Sequence, residues 1–237
     1  MKVDVLAIAA HRDDIELTCG GTLIKMKDLG YVTGIVELTE GEMGTRGSAE
    51  EREQEAMKAA EVLGVSIREN VKLLDAKLEL NMESKLRVAQ KIRDFKPRVA
   101  LIPYWEARHP DHYTAGKIAY EACFIAGLQK MDLLGEAHRP YKILYSTLYA
   151  TSVTPSLVVD ITKQFDQRLA AILCYKSQFS DTRAGGEVFP PLDNLIEQIH
   201  ASCRFYGNMV GVKYGEPYYV KEPFRGEDLV KLAGRSI

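Results

Sequence analysis

The sequence has little of several things: one tryptophan, four cysteines and no surplus of positive charge among its 237 residues. Lys and Arg number 31 against 33 Asp and Glu, which gives a net charge of −2 at pH 7. Without excess positive charge, dense contacts to phosphate groups are not expected, so we predict no nucleic-acid and no membrane partner. The apolar runs are too short for a signal peptide or a membrane span, which indicates a cytoplasmic protein.

The cysteines are far apart and form no C-x-x-C pair, which excludes a paired-cysteine metal or redox motif. They stand in mostly apolar or helical surroundings, and we expect reduced packing residues at all four positions: Cys19, Cys123, Cys174 and Cys203. A chain of this length buries enough surface to fold without disulfides or a structural metal. Any metal bound here should therefore be functional.

Short apolar runs and amphipathic segments alternate along the chain. Strands are predicted at residues 3–10, 31–39, 71–74, 99–104, 143–149 and 157–161. Helices are predicted at residues 15–29, 48–64, 82–95, 113–127, 164–177 and 192–206, with a mobile loop at 182–191. The alternation predicts an α/β fold in which helices flank a Rossmann-like, mostly parallel sheet, with a C-terminal α/β extension. We expect one domain over residues 1–237.

Three of the five histidines fall in two polar clusters, and each cluster follows a predicted strand. The first is His11-Arg12-Asp13-Asp14 and the second is His109-Pro110-Asp111-His112. Either cluster alone is more often a cap or a surface group than a ligand set. Because the carboxyl ends of parallel strands face one crevice, however, the two clusters can converge into one site.

The two clusters together contain the side chains that a catalytic zinc site needs. Zn²⁺ at such a site usually takes three protein ligands, and His11, Asp14 and His112 supply imidazole nitrogen and carboxylate oxygen. Asp13 is then placed to accept the proton of the attacking water. His109 is a candidate to stabilise the oxyanion or to protonate the leaving amine. Asp111 is predicted either to orient His109 or to accept a hydrogen bond from a ligand histidine.

These residues resemble a known family. Residues 11–16 look like the A-H-P-D-D-E signature of the LmbE/PIG-L-like zinc N-deacetylases, and residues 109–112 look like its second signature, H-P-D-H. Further similarity lies in residues 39–42, 52–56, 63–64, 177–179 and 211–216. Length and the C-terminal motifs are closest to the bacillithiol-biosynthesis branch, which deacetylates N-acetylglucosaminyl-malate.

The resemblance implies an activity and a role for each residue of the two clusters. It implies a zinc-dependent hydrolase that removes an N-acetyl group, with zinc on His11, Asp14 and His112. It also implies Asp13 as general base and His109 as electrostatic catalyst or acid. The partners it implies are a small-molecule N-acetylglucosaminide and further copies of the chain in a trimer or hexamer.

The sequence departs from the family pattern in three places. Arg12 replaces the usual proline, and Ile15 is inserted in the first signature, so the turn is less constrained. Leu195 lies in a segment where several relatives carry a tyrosine that helps to hold the oxyanion. Its absence places more weight on His109. We expect His109 to be protonated, with Asp111 on its other ring nitrogen.

Three residues are candidates to bind substrate. Arg52 and Arg108 could pair with a carboxylate such as that of malate, although both could also be solvated surface arginines. Asp75 follows the third predicted strand and is a candidate acceptor for sugar hydroxyls, with a turn-forming role as the alternative.

Other functions fit the sequence less well. Residues 41–47 lack the Lys-Ser/Thr of a phosphate-binding loop and residues 19–21 are not G-x-G-x-x-G, so a nucleotide-dependent oxidoreductase is disfavoured. Two alternatives remain: a deacetylase of another N-acetylglucosaminide such as a chitooligosaccharide, and a non-catalytic sugar-binding protein on the same fold. Asp13 favours the enzyme, because a binding module has no need for a spare base beside a metal ligand.

Overall fold

The computed structural model describes residues 2–150, 152–180, 191–223 and 225. Within them, one sheet is built from seven strands: β1 (Val5–Ala9), β2 (Thr33–Thr39), β3 (Ile67–Leu73), β4 (Val99–Pro103), β5 (Lys142–Ser146), β6 (Leu157–Asp160) and β7 (Gly215–Tyr219). Their spatial order is β3-β2-β1-β4-β5-β7-β6. The first five strands run parallel, whereas β7 is antiparallel to both β5 and β6. The predicted α/β fold with a mostly parallel sheet is therefore confirmed.

The helices in the described residues are α1 (Asp14–Thr18), α2 (Gly20–Asp28), α3 (Ala49–Leu63), α4 (Met82–Phe95), α5 (Pro110–Ala126), α6 (Phe165–Ile172), α7 (Lys176–Phe179) and α8 (Leu192–Met209). Local signals set several of their ends. The Ser48 side chain caps α3 by accepting from Glu51 N, and Gly64 ends the helix in a left-handed conformation. Asn81 caps α4 in the same way, through Ser84 N.

The sheet lies between two layers of apolar side chains, and β1 runs through the middle of both. All five residues of β1 are buried. Leu6 and Ile8 pack in one hydrophobic cluster with residues of α4 and α5. Ala7 and Ala9 point to the opposite face and pack with residues of α2 and α3. A strand that is buried on both faces has a continuous apolar sequence, and for this reason β1 could be predicted from the sequence.

The single helix predicted over residues 15–29 is wrong, because the chain breaks at Cys19 into α1 and α2. The cause is a buried carboxylate from β7. Glu216 accepts hydrogen bonds from Gly21 N at 2.8 Å and Thr22 N at 2.7 Å, which satisfies the first N–H groups of α2. A Cβ at Gly21 would lie 2.9 Å from Glu216 Oε1, so a glycine stands where this carboxylate approaches the helix.

Other predicted bounds also shift. The helix predicted over residues 164–177 is divided into α6 and α7, because Tyr175 leaves the helical conformation at φ −83° and ψ 67°. The third strand begins at Ile67 and the fifth ends at Ser146, while α5 begins at Pro110 with His109 as its N-cap. The predicted mobile loop lies outside the described residues except for Pro191, the N-cap residue of α8.

The cysteines agree with the expectation of reduced packing residues. None of the four cysteines is in a disulfide, and Cys19, Cys123 and Cys203 are buried, as expected of packing residues. In the part of the chain that the structure describes, every helix is too short or too polar to cross a membrane.

Candidate metal centre and active site

The two polar clusters meet at one edge of the sheet. Strands β1 and β4 are adjacent and parallel, with Val5 opposite Val99, so the loops that follow them lie side by side. His11 is in the loop after β1, and Asp14 begins α1. His112 is in the first turn of α5, which follows β4. The convergence predicted for the ends of parallel strands is therefore present.

His11, Asp14 and His112 bring three possible metal-binding atoms together. His112 Nε2 lies 3.0 Å from Asp14 Oδ1, and His11 Nδ1 lies 3.3 Å from His112 Nε2. One atom from each side chain lies within 4.8 Å of the other two. Two imidazole nitrogens and one carboxylate oxygen form a donor set that suits zinc and leaves a fourth position open. The residues thus fit the divalent metal that the sequence implies.

The charges in this group support one another. Burial alone raises the pKa of Asp14, but the charge of His112 and the hydrogen bonds from both imidazoles hold it well below its usual range. The backbone N–H of His11 also donates to Asp14 Oδ2 at 2.9 Å. Asp14 is therefore an ionised carboxylate, the form that binds a cation.

The second ring nitrogen of His11 faces the protein. His11 Nε2 lies 3.1 Å from Asp75 Oδ1, so Nδ1 is the nitrogen directed at Asp14 and His112. The other oxygen of Asp75 accepts from Met43 N at 3.0 Å. Asp75, predicted to bind sugar hydroxyls, is thus engaged on both oxygens, and its contact with His11 is of the kind that orients a ligand histidine.

Asp111 also faces His11. Its Oδ2 lies 3.6 Å from His11 Nε2 and accepts from Ala76 N at 2.8 Å, so the carboxylate is directed at His11. His109 Nδ1 instead accepts the backbone N–H of Asp111 at 3.2 Å. Burial, together with the neighbouring charges of His112 and His11, lowers the pKa of His109. The expected contact between the Asp111 carboxylate and the His109 ring is therefore wrong, because the carboxylate faces His11.

Asp13 directly precedes Asp14 in sequence, and its carboxylate contacts an arginine. Arg52 NH2 lies 3.4 Å from Asp13 Oδ1, and Arg52 NH1 donates to Gly41 O at 3.1 Å. Arg52 is only 4% exposed, so it is not a solvated surface arginine. The structure places it on Asp13 and on the loop that precedes α3.

Arg108 and His109 are exposed at the start of α5. Arg108 makes no hydrogen bond or ion pair with any described residue, so its guanidinium remains available to a negatively charged group. We expected Arg52 and Arg108 at the mouth of the crevice. Arg108 is exposed, whereas Arg52 is buried against Asp13.

A small pocket, called the cavity below, lies beside the donor set, between the ends of β1, β4 and β5. Asp14 and His112 form part of its wall, and most of the remaining lining is apolar, including Ile15 and Cys19. The ring of Tyr149 also lines it and stacks on His112 with 5.1 Å between centroids. The cavity can hold a small apolar group next to the metal-binding atoms.

Comparison with known proteins places the chain in a family. The family profile described as PIG-L, GlcNAc-PI de-N-acetylase, matches residues 6–123. Diacetylchitobiose deacetylase from Thermococcus kodakarensis is 31% identical over 225 residues, which cover 90% of this chain and 80% of that protein. The chain belongs to the PIG-L family.

Two further comparisons describe its neighbours. The crystal structure of the conserved protein TT1542 from Thermus thermophilus matches with a TM-score of 0.86 and 39% identity, over 96% of this chain and 98% of that one. The 4-oxalmesaconate hydratase of Pseudomonas putida is 28% identical over 193 residues, 73% of each chain. These names do not include a bacillithiol enzyme, so the branch within the PIG-L family stays a prediction.

Sequence reasoning missed several residues of this PIG-L site. Tyr149 follows β5 at the same edge of the sheet, and its place at a strand end was the available signal. Arg68, Glu37 and Tyr175 lie behind the loop that carries Asp13. A buried Glu37 inside an otherwise apolar strand was a signal that a charged partner lies nearby. Leu195, by contrast, packs against an apolar cluster under α8.

Proposed function

We propose that this chain is a zinc-dependent deacetylase that removes the acetyl group from the nitrogen of an N-acetylglucosaminide. One observation carries the proposal: the donor atoms of His11, Asp14 and His112 lie within 4.8 Å of one another. Asp13, the candidate base, directly precedes Asp14 in the chain. Similarity to a diacetylchitobiose deacetylase over most of the chain supports the same activity.

The reaction divides its work among these side chains. Zinc, when bound, supplies Lewis acidity, which polarises the amide carbonyl and acidifies water. Asp13 accepts a proton from the attacking water, and Arg52 holds its carboxylate in place. His109 stabilises the oxyanion or protonates the nitrogen as the carbon–nitrogen bond breaks. The products are acetate and a free amine, and the apolar cavity beside Asp14 holds the methyl group of the acetyl.

We also propose which group is attached to the N-acetylglucosamine of the substrate. The diacetylchitobiose deacetylase relative supports a short N-acetylglucosamine oligomer as substrate. N-acetylglucosaminyl-malate is the second candidate, and the exposed, unpaired Arg108 beside His109 favours it because a guanidinium pairs with a carboxylate. We further propose that the protein works in the cytoplasm as a trimer or hexamer.

Acetate release tests the proposal. The zinc-loaded protein is assayed against N-acetylglucosamine, diacetylchitobiose and N-acetylglucosaminyl-malate, with the zinc-loaded Asp13→Asn protein as a control. Release that depends on Asp13 supports the enzyme. No release from any of the three compounds overturns it, and hydration of 4-oxalmesaconate in its place would assign the chain to the hydratase activity.

A pair of variants separates the two candidate substrates. Arg108→Ala should raise KM for N-acetylglucosaminyl-malate about 10-fold or more, the loss of one charge-assisted pair, and leave diacetylchitobiose unaffected. Arg87→Ala removes another partly exposed arginine that pairs with Glu83 away from the site. It should change neither KM.

A further inference from the structure

A buried polar cluster that the proposed mechanism does not use lies behind the turn at Asp13. We name it the Arg68 cluster: Arg68 from β3, Glu37 from β2, Glu16 from α1, and Tyr175, which precedes α7. The side chains of Arg68, Glu37 and Glu16 are 4%, 2% and 0% exposed, and Tyr175 is 0% exposed. Three elements and the residue before α7 thus contribute polar groups to one interior point.

Arg68 uses all of its nitrogens there. Its Nε donates to Glu37 Oε1 at 2.5 Å, and NH1 donates to Glu16 Oε1 at 2.7 Å. NH2 donates to the Tyr175 hydroxyl at 2.7 Å and also to the carbonyl oxygen of Arg12. The Tyr175 hydroxyl donates to the same carbonyl. Two groups from distant parts of the chain therefore hold one backbone oxygen of the turn.

Stability alone is a weak explanation for such a cluster. Burying charged groups carries a large desolvation cost, and replacing buried ion pairs by apolar side chains is often neutral or stabilising. The position of the cluster is more informative. The Arg12 carbonyl belongs to the peptide that joins Arg12 to Asp13, so fixing its plane fixes the backbone from which the Asp13 side chain extends.

Besides Arg52, no described side chain holds the Asp13 carboxylate, so its position also depends on the backbone of the turn. Its side chain makes one hydrogen bond within the described residues, the long contact of 3.4 Å to Arg52, and gives no cap hydrogen bond to α1. Arg12 also lacks the ring that restricts φ in proline. Leu17 N donates to Asp13 O at 3.2 Å, but among the described residues the Arg12–Asp13 peptide itself is held through the Arg12 carbonyl.

We propose that the Arg68 cluster positions Asp13 through the Arg12 carbonyl, so that Arg68 and Tyr175 are positioning residues for the deacetylation. This inference rests on the proposed function, in which Asp13 is the base. A displacement of about 1 Å in a reacting group costs about 100-fold in rate, which is the size of effect expected when the restraint is lost.

Single variants test the kinetic consequence. Tyr175→Phe should lower kcat for acetate release about 10-fold and Arg68→Lys about 100-fold, with KM and zinc content nearly unchanged. Tyr218→Phe is the control for the first, because this buried hydroxyl bonds Thr22 instead. Arg93→Lys is the control for the second, since Arg93 is equally buried and donates to carbonyls at and after the end of α5. Equal kcat losses in the controls would overturn the proposal.

A double variant and a structure complete the test. In an Asp13→Asn background, Tyr175→Phe should cause no further loss of kcat, and a full second loss contradicts action through Asp13. Crystal structures of Tyr175→Phe and Tyr218→Phe should show the Asp13 carboxylate displaced by more than about 0.5 Å only in the former. An undisplaced carboxylate overturns the proposal. This structural comparison tests whether the Arg68 cluster positions Asp13 even if the wild-type protein hydrolyses no compound of the panel. In that case only the proposed function fails.

Discussion

Asp75 and Arg52 are buried residues that each contact a residue of the candidate site. Each is almost fully buried, at 6% and 4% exposure, and each contacts one side chain of the site. Asp75 accepts from His11, and Arg52 pairs with Asp13. A change at either position should therefore act first on metal binding or on the base, and the two effects can be measured separately.

Asp75→Asn should weaken zinc binding about 10- to 100-fold, the usual cost of losing a partner of a ligand histidine. The amide cannot accept on both sides, so one of its faces would direct N–H groups at either His11 or Met43. Zinc titration against a competing chelator measures the change. Asp160→Asn, where the carboxylate accepts from Thr162 N in a distant turn, is the control and should leave the zinc affinity unaltered.

Gly41→Ala should lower turnover while zinc content stays at the wild-type level. A Cβ there would lie 2.0 Å from Arg52 NH1, at a φ of +72°, so the guanidinium must leave its contact with Asp13. Gly30→Ala imposes the same kind of backbone strain at φ +89° with no atom within 4 Å of the new Cβ. Steady-state rates that fall equally in both variants would show that backbone strain, and not Arg52, is responsible.

At the scale of elements, the features that could be predicted from the sequence were those that depend on hydrophobic periodicity and on the order of the strands. The juxtaposition of His11 with His112 followed from two apolar strands that each end in a polar cluster. The break at Cys19 could not be predicted, because its cause, Glu216, is distant in sequence. The direction of the Asp111 carboxylate was also open, since it depends on which loop packs beside the start of α5.

Glu216→Ala should destabilise the fold by about 3–5 kcal/mol, because it leaves a buried arginine unpaired. Arg168 is 0% exposed, and its Nε lies 3.1 Å from Glu216 Oε1. The same oxygen accepts a hydrogen bond from Gly21 N at the start of α2. Denaturant unfolding measures the loss. Glu136→Ala, which removes an exposed ion pair with Lys96, is the matched control and should not shift the transition.

On the scale of the whole molecule, the metal-binding atoms and the core are separate. The hydrophobic clusters pack on the faces of the sheet, whereas the metal-binding atoms lie at the carboxyl ends of β1 and β4. Folding therefore draws its main driving force from surface that is buried whether or not a metal is bound. Zinc should act as a ligand of the folded protein and not as a requirement for folding.

Zinc should consequently raise stability by mass action. At a free zinc concentration of about 100 times Kd, the free energy of unfolding should increase by about 2.7 kcal/mol, provided that the unfolded chain does not bind the ion. Denaturant titrations with zinc and with a chelator measure the difference, and His112→Ala should abolish it because one of the three donor side chains is lost. A chelated protein that unfolds without denaturant would contradict the separation, since the ion would then hold the fold together as well as serve the site.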